Sequence, residues 1–84
     1  MLNKFLELLN STDIQAVEGE TSFKECFDVD DEWFLKISLR NENKYGDGEV
    51  EFFISSDNYA DIVEVSENSF LLTSIDGESF TITF

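Results

Sequence analysis

The chain is predicted to be α+β: an N-terminal helix packed on an antiparallel sheet of about five strands arranged as a meander. Three observations carry this. Leu2, Phe5, Leu6 and Leu9 recur at the spacing of one helical face. From residue 33 onward, apolar and polar residues alternate at period two in short runs. Between the runs stand turn residues, Gly46, Gly48 and Asp76-Gly77, with no proline anywhere. A small, partly closed barrel is the alternative closure of the same strands.

The helix comes first. "MLNKFLELLN" places its apolar residues on one side, and "NST" (10–12) ends it. At about ten residues it is too short to hold alone in water, so it must dock on the sheet. It lacks the basic face of a membrane-surface helix. Residues 13–30 read less clearly. "DIQAVEG" fits a strand. "TSFKECF" fits a strand or irregular edge, although Ser22 and Glu25 also have capping-box spacing.

"WFLKISLR" (33–40) alternates without a break, sending Trp33, Leu35, Ile37 and Leu39 one way and Phe34, Lys36, Ser38 and Arg40 the other. "EVEFFIS" (49–55) does the same, with Val50, Phe52 and Ile54 on the core side. The polar stretch between them predicts a hairpin that brings Lys36 and Arg40 near Glu49 and Glu51. "DIVEV" (61–65) and "SFLLTSI" (69–75) form a second meander, followed by Asp76-Gly77, a strong two-residue turn signal. That turn sets Thr73 opposite Phe80 and Leu71 opposite Ile82. Leu71, Ile75, Phe80, Ile82 and Phe84 then share the core face, while Phe70 and Leu72 fall on the other.

The 84 residues suit one domain spanning 1–84. Nineteen acids against five bases give a net charge of −14. That field repels nucleic acid and anionic membranes and attracts basic protein surfaces. No partner role with nucleic acid itself, or with a membrane, is therefore expected. One cysteine, Cys26, allows no intrachain disulfide, and no segment reads as a signal peptide or membrane span, so a cytoplasmic protein is expected.

Histidine is absent, which removes the usual general base and the commonest metal ligand. No phosphate-binding glycine loop or zinc pattern occurs. Cys26, with no histidine partner, reads as a small buried core thiol. "DVDDE" (28–32) supplies oxygen ligands but lacks the calcium-loop spacing and its bending glycine. The sequence therefore predicts no enzyme, no cofactor and no dedicated metal site.

The acids read instead as a surface. Asp28, Asp30, Asp31 and Glu32 lie between aromatics in "FDVDDEWF", and Glu49 and Glu51 alternate on a strand. Rows of carboxylates on a rigid sheet can imitate a phosphate backbone. Phe34, Phe53, Tyr45 and Tyr59 are candidate anchors, since each is sent away from the expected core or into a loop.

In size, lack of disulfides, charge and antiparallel character, the chain is similar to the small acidic inhibitors of phages and mobile elements. These include DNA mimics and anti-CRISPR or anti-restriction proteins. Bacterial immunity proteins, which neutralise basic nuclease toxins, share the profile. The resemblance is one of type and carries over no site residue. It implies a non-enzymatic inhibitor, monomeric or homodimeric, that covers the basic face of a nucleic-acid-binding enzyme. An assembly module that oligomerises through an apolar sheet face formed by Phe34, Phe53, Phe70 and Leu72 is the reading from a different class.

Overall fold

The structure, a computed structural model, describes residues 2–40 and 49–84, with the backbone alone at Arg40 and Glu49. Among the described residues, helix α1 (Leu2–Ser11) is followed by seven strands. These are β1 (Ala16–Val17), β2 (Phe23–Val29), β3 (Trp33–Arg40), β4 (Glu49–Ser55), β5 (Tyr59–Ser66), β6 (Ser69–Ser74) and β7 (Ser79–Thr83). They form two antiparallel sheets, one of four strands in the order β1-β7-β6-β5 and one of three in the order β2-β3-β4. The fold is thus α+β as the sequence predicts. The strands are divided between two sheets, which do not close into a barrel. No helix among the described residues is long and apolar enough to cross a membrane.

The core lies between the inner faces of the two sheets, under the helix. Cross-strand partners share a face. On the four-stranded sheet, Leu72 pairs with Phe80, Phe70 and Val17 with Ile82, and Ile62 with Leu72. All are buried. On the three-stranded sheet, Trp33, Leu35, Ile37, Leu39 and Ile54 form the matching buried face. Phe52 meets Phe80 between the sheets, ring centroids 4.7 Å apart, and Trp33 meets Tyr59 at 5.6 Å.

The helix docks through Phe5, which is fully buried edge-on against Phe70 at 5.7 Å and Phe84 at 5.9 Å. Lys4 reaches from the helix to Glu64 on β5 at 2.6 Å. These contacts supply the tertiary support that a ten-residue helix needs in water.

Strands β3 and β4 cover the predicted spans, pair as the predicted hairpin and bury the predicted faces. Between residues 13 and 30, the uncertain stretch holds two strands. β1 is only two residues long, closed by a tight turn in which Val17 and Glu20 exchange both backbone hydrogen bonds at 2.9 and 2.8 Å. Glu18 and Gly19 in that turn take φ of 52° and 77°. The side chain of Glu18 accepts a 2.8 Å bond from the Thr81 N–H and so clips the turn to β7.

The β6–β7 register differs from the prediction by one residue. Thr73 pairs with Ser79, and Leu72, not Thr73, with its neighbour Phe80. The Gly77 N–H donates to the Ser74 carbonyl at 3.0 Å, and the Ser74 N–H donates to Glu78 O at 2.8 Å. That pattern, with Gly77 at φ 89°, is a type I turn closed by a left-handed glycine, a three-residue loop rather than a two-residue one. The additional loop residue turns β6 over. Phe70, Leu72 and Ser74 face the core, Leu71 is half-buried on the outer face, and Ile75 is 65% exposed.

Candidate partner-binding face

The outer face of the three-stranded sheet carries most of the sequence-predicted site. Its rows follow from the register. Asp28 stands opposite Phe34, and Phe34 opposite Ser55. Cys26 stands opposite Lys36, and Lys36 opposite Phe53. Lys24 pairs with Ser38, and Ser38 with Glu51. Phe34 and Phe53 sit diagonally on neighbouring strands and stack, centroids 6.4 Å apart and planes 21° apart. Phe53 is 44% exposed, whereas Phe34 is half-buried.

Asp30, Asp31 and Glu32 are not a strand row. The β2–β3 hairpin closes with Val29 opposite Trp33, so these three acids form its turn and are exposed. They stand at the same end of the sheet as Asp28 and Phe34. Glu51 lies further along the outer face, with Lys36 Nζ at 3.4 Å from its carboxylate. The Glu49 backbone pairs with Arg40 at the opposite end of the hairpin. Tyr45 lies outside the described residues. Tyr59 is not a free anchor, because its ring packs on Trp33.

Two further expectations are corrected here. Cys26 is exposed, not a core thiol. It lies on edge strand β2, where alternation sends it outward with Lys24 and Asp28. The proposed apolar patch loses Phe70 and Leu72, which are fully buried by the β6–β7 register, and keeps only Phe34 and Phe53.

A groove of about 370 Å³ opens beside the stacked rings, lined by Glu32, Trp33, Phe34, Phe53, Ser55, Ser56 and Asp57. Ser55, Ser56 and Asp57 are the residues that sequence reasoning missed. The β3–β4 pairing contained the signal. With Ser55 opposite Phe34, two further steps along each strand bring residue 57 to the neighbourhood of residue 32. The structure fixes this meeting of two turns by a 2.8 Å bond from the Ser56 N–H to the Trp33 carbonyl.

The second turn is itself cross-bonded. The Asp57 N–H donates to Ser55 Oγ at 3.3 Å, the Asn58 N–H donates to Ser55 O at 3.1 Å, and Asn58 Nδ2 donates to the Phe53 carbonyl at 3.3 Å. Neither Glu32 nor Asp57 enters an ion pair among the described residues. No group of three or more acidic, cysteine or histidine side chains among them is arranged to hold a metal ion.

The face can therefore offer a rigid aromatic pair flanked by carboxylates from two turns and from β2. No family model, curated protein or solved structure matches the chain.

Proposed function

We propose that this chain is a small acidic, non-enzymatic inhibitor of DNA-mimic type, which covers the basic nucleic-acid-binding surface of a DNA- or RNA-processing or defence enzyme. The observation that carries the reading is the outer face of the three-stranded sheet. There the Phe34–Phe53 stack has Asp28 opposite Phe34 and Glu32 and Asp57 in the adjoining groove, with Asp30 and Asp31 in the turn at the same end of the sheet. Carboxylates at the ends of strands supply long-range attraction and orientation. The exposed Phe53 ring, backed by half-buried Phe34, supplies apolar area that can be removed from water at the centre of an interface. The chain's net charge of −14 acts in the same direction.

The test is capture by immobilised full-length chain at about 50 mM and about 500 mM salt, a range over which exposed charges become strongly screened. One basic nucleic-acid enzyme, bound at low salt and displaced by duplex DNA or RNA, is the expected result. The double change Asp30→Lys with Glu32→Lys should weaken capture far more than Glu7→Lys on the exposed side of α1. Capture that is insensitive to salt and to the double change would overturn the reading. Self-association alone would move it to an assembly module.

A further inference from the structure

We infer that the groove beside Phe34 and Phe53 is a receptor for one arginine side chain presented by the protein partner. The partner's class rests on the inhibitor reading above; the preference for arginine rests on the groove.

The walls specify a cation. Phe34 and Phe53 lie nearly parallel, and both line one side of the groove, with Phe53 the more exposed of the two rings. An aromatic face attracts a cation placed within about 6 Å of its centroid, and guanidinium is the commonest such cation. Glu32 enters from the β2–β3 turn and Asp57 from the β4–β5 turn. Both carboxylates lack an ion-pair partner among the described residues. Lys36, the nearby cation on the same face, is engaged by Glu51.

An anionic occupant would meet two carboxylates. A purely apolar occupant would bury those carboxylates unpaired, which is strongly unfavourable. Between the two cationic side chains, arginine fits better. Its planar group stacks on rings, bonds carboxylates through two N–H groups and sheds water more readily than a lysine ammonium. The groove's volume of about 370 Å³ falls at the lower end of the roughly 300–1,000 Å³ that small ligands occupy. It suits one long side chain better than a folded element of a partner.

The geometry is held before any ligand arrives. The Ser56–Trp33 bond ties the two turns together, and the bonds from Asp57 and Asn58 fix the second turn on β4. An arginine entering here would lose little affinity to reordering of the receptor.

The experiment is a titration of the ¹⁵N-labelled full chain with the capped tripeptide Gly-Arg-Gly, followed by amide chemical shifts. Parallel titrations use the lysine and citrulline analogues. Saturable shifts should concentrate at residues 32–34 and 53–57, with a dissociation constant on the order of 1 mM for so few contacts. The lysine peptide should bind at least about threefold more weakly, because it can neither stack nor bond in a fork. Citrulline, uncharged but nearly isosteric, should leave the groove unmoved.

Phe53→Ala should weaken the arginine peptide by about fivefold through loss of the ring face. Glu32→Gln with Asp57→Asn should do the same while keeping side-chain size. Amide shifts of the inner-face residues confirm that each variant remains folded. Equal binding of lysine, shifts spread over the acidic surface, or unchanged binding by Phe53→Ala would each overturn the proposal.

Failure here and failure of the inhibitor reading are separable. Arginine-peptide binding in the groove, with no nucleic-acid enzyme captured, removes the inhibitor reading and leaves the groove. An enzyme bound as tightly by Phe53→Ala as by the native chain removes the groove and the ring anchor, and leaves an inhibitor that binds through its carboxylates alone.

Discussion

Glu25 on β2 stands directly opposite Ile37 on β3, which makes a carboxylate a member of the inward, apolar face of the three-stranded sheet. Phe23 and Phe27 flank it on the same face, paired with Leu39 and Leu35. Only an edge strand tolerates such a placement, since the open side keeps Glu25 in touch with water. Burial strips part of the hydration of its carboxyl, and the negative charge of Asp13 adds to the effect. Together they raise its pKa above the ordinary 4.5.

The sign of the consequence follows from linkage. A carboxyl that holds its proton more tightly in the folded state contributes stability at low pH, and that contribution is lost as pH rises through the folded-state value. At neutral pH the ionised Glu25 is therefore a destabilising element. Glu25→Gln should stabilise the fold at pH 7, by less than about 1 kcal/mol because solvent screens an exposed group. The gain should shrink as pH falls through the raised folded-state value and level off below the ordinary 4.5, where Glu25 is protonated in both states. Urea melts of both proteins at pH 7 and pH 4 check it; a loss of stability at pH 7 would contradict the assignment.

The β6–β7 register makes two adjacent leucines unequal. Leu72 is fully buried opposite Phe80, whereas Leu71 is half-buried opposite Thr81. Leu72→Ala should cost about 2–5 kcal/mol, the range for a leucine removed from a packed core. In a domain this small, that is enough to unfold much of the population. Leu71→Ala should cost clearly less. Denaturant midpoints for the two variants settle the register directly, and the opposite order would restore the two-residue turn.

That turn also shows what sequence patterns hold and what they leave open. β3 and β4 were legible from end to end because period-two alternation and a buried face give the same answer at each residue. Asp76-Gly77 did not determine a register. The same dipeptide closes a two-residue turn or supplies the last two residues of a three-residue one, and the difference turns Phe70 and Leu72 from outside to inside. β1 has two residues, too few to show a period. The division into two sheets depends on which strands meet across the core, as Phe52 and Phe80 do, and no local pattern encodes that.

In the candidate site, Phe34 and Phe53 were legible as outward residues of clear strands. Cys26 was misplaced because edge strand β2 has a mixed pattern. Asp57 was missed because its approach to Glu32 is a property of two turns rather than of one segment.

Gly77 carries the turn through its backbone. Its φ of 89° lies where side chains with a Cβ are strained, although a Cβ built there meets nothing within 4 Å. The expected cost of Gly77→Ala is therefore conformational alone, about 1–2 kcal/mol. Thermal melts measure it. An unchanged midpoint would mean that the loop relaxes to another turn type, and the cross-strand contacts between Thr73 and Ser79 in the variant would reveal that change.

Ser74 provides the sharpest test of the inward face of β6. It is 4% exposed, and its hydroxyl has no hydrogen-bond partner among the described residues. Its backbone is fully used, donating to Glu78 and accepting from Gly77, so only the side-chain oxygen is left over. A desolvated polar atom with no partner costs about 1–3 kcal/mol. Ser74→Ala removes that oxygen and leaves the backbone bonds and the Cβ in place. It should raise stability by about 1 kcal/mol in urea unfolding. A loss of similar size would instead show that the hydroxyl is bonded in solution, with an internal water as the available partner.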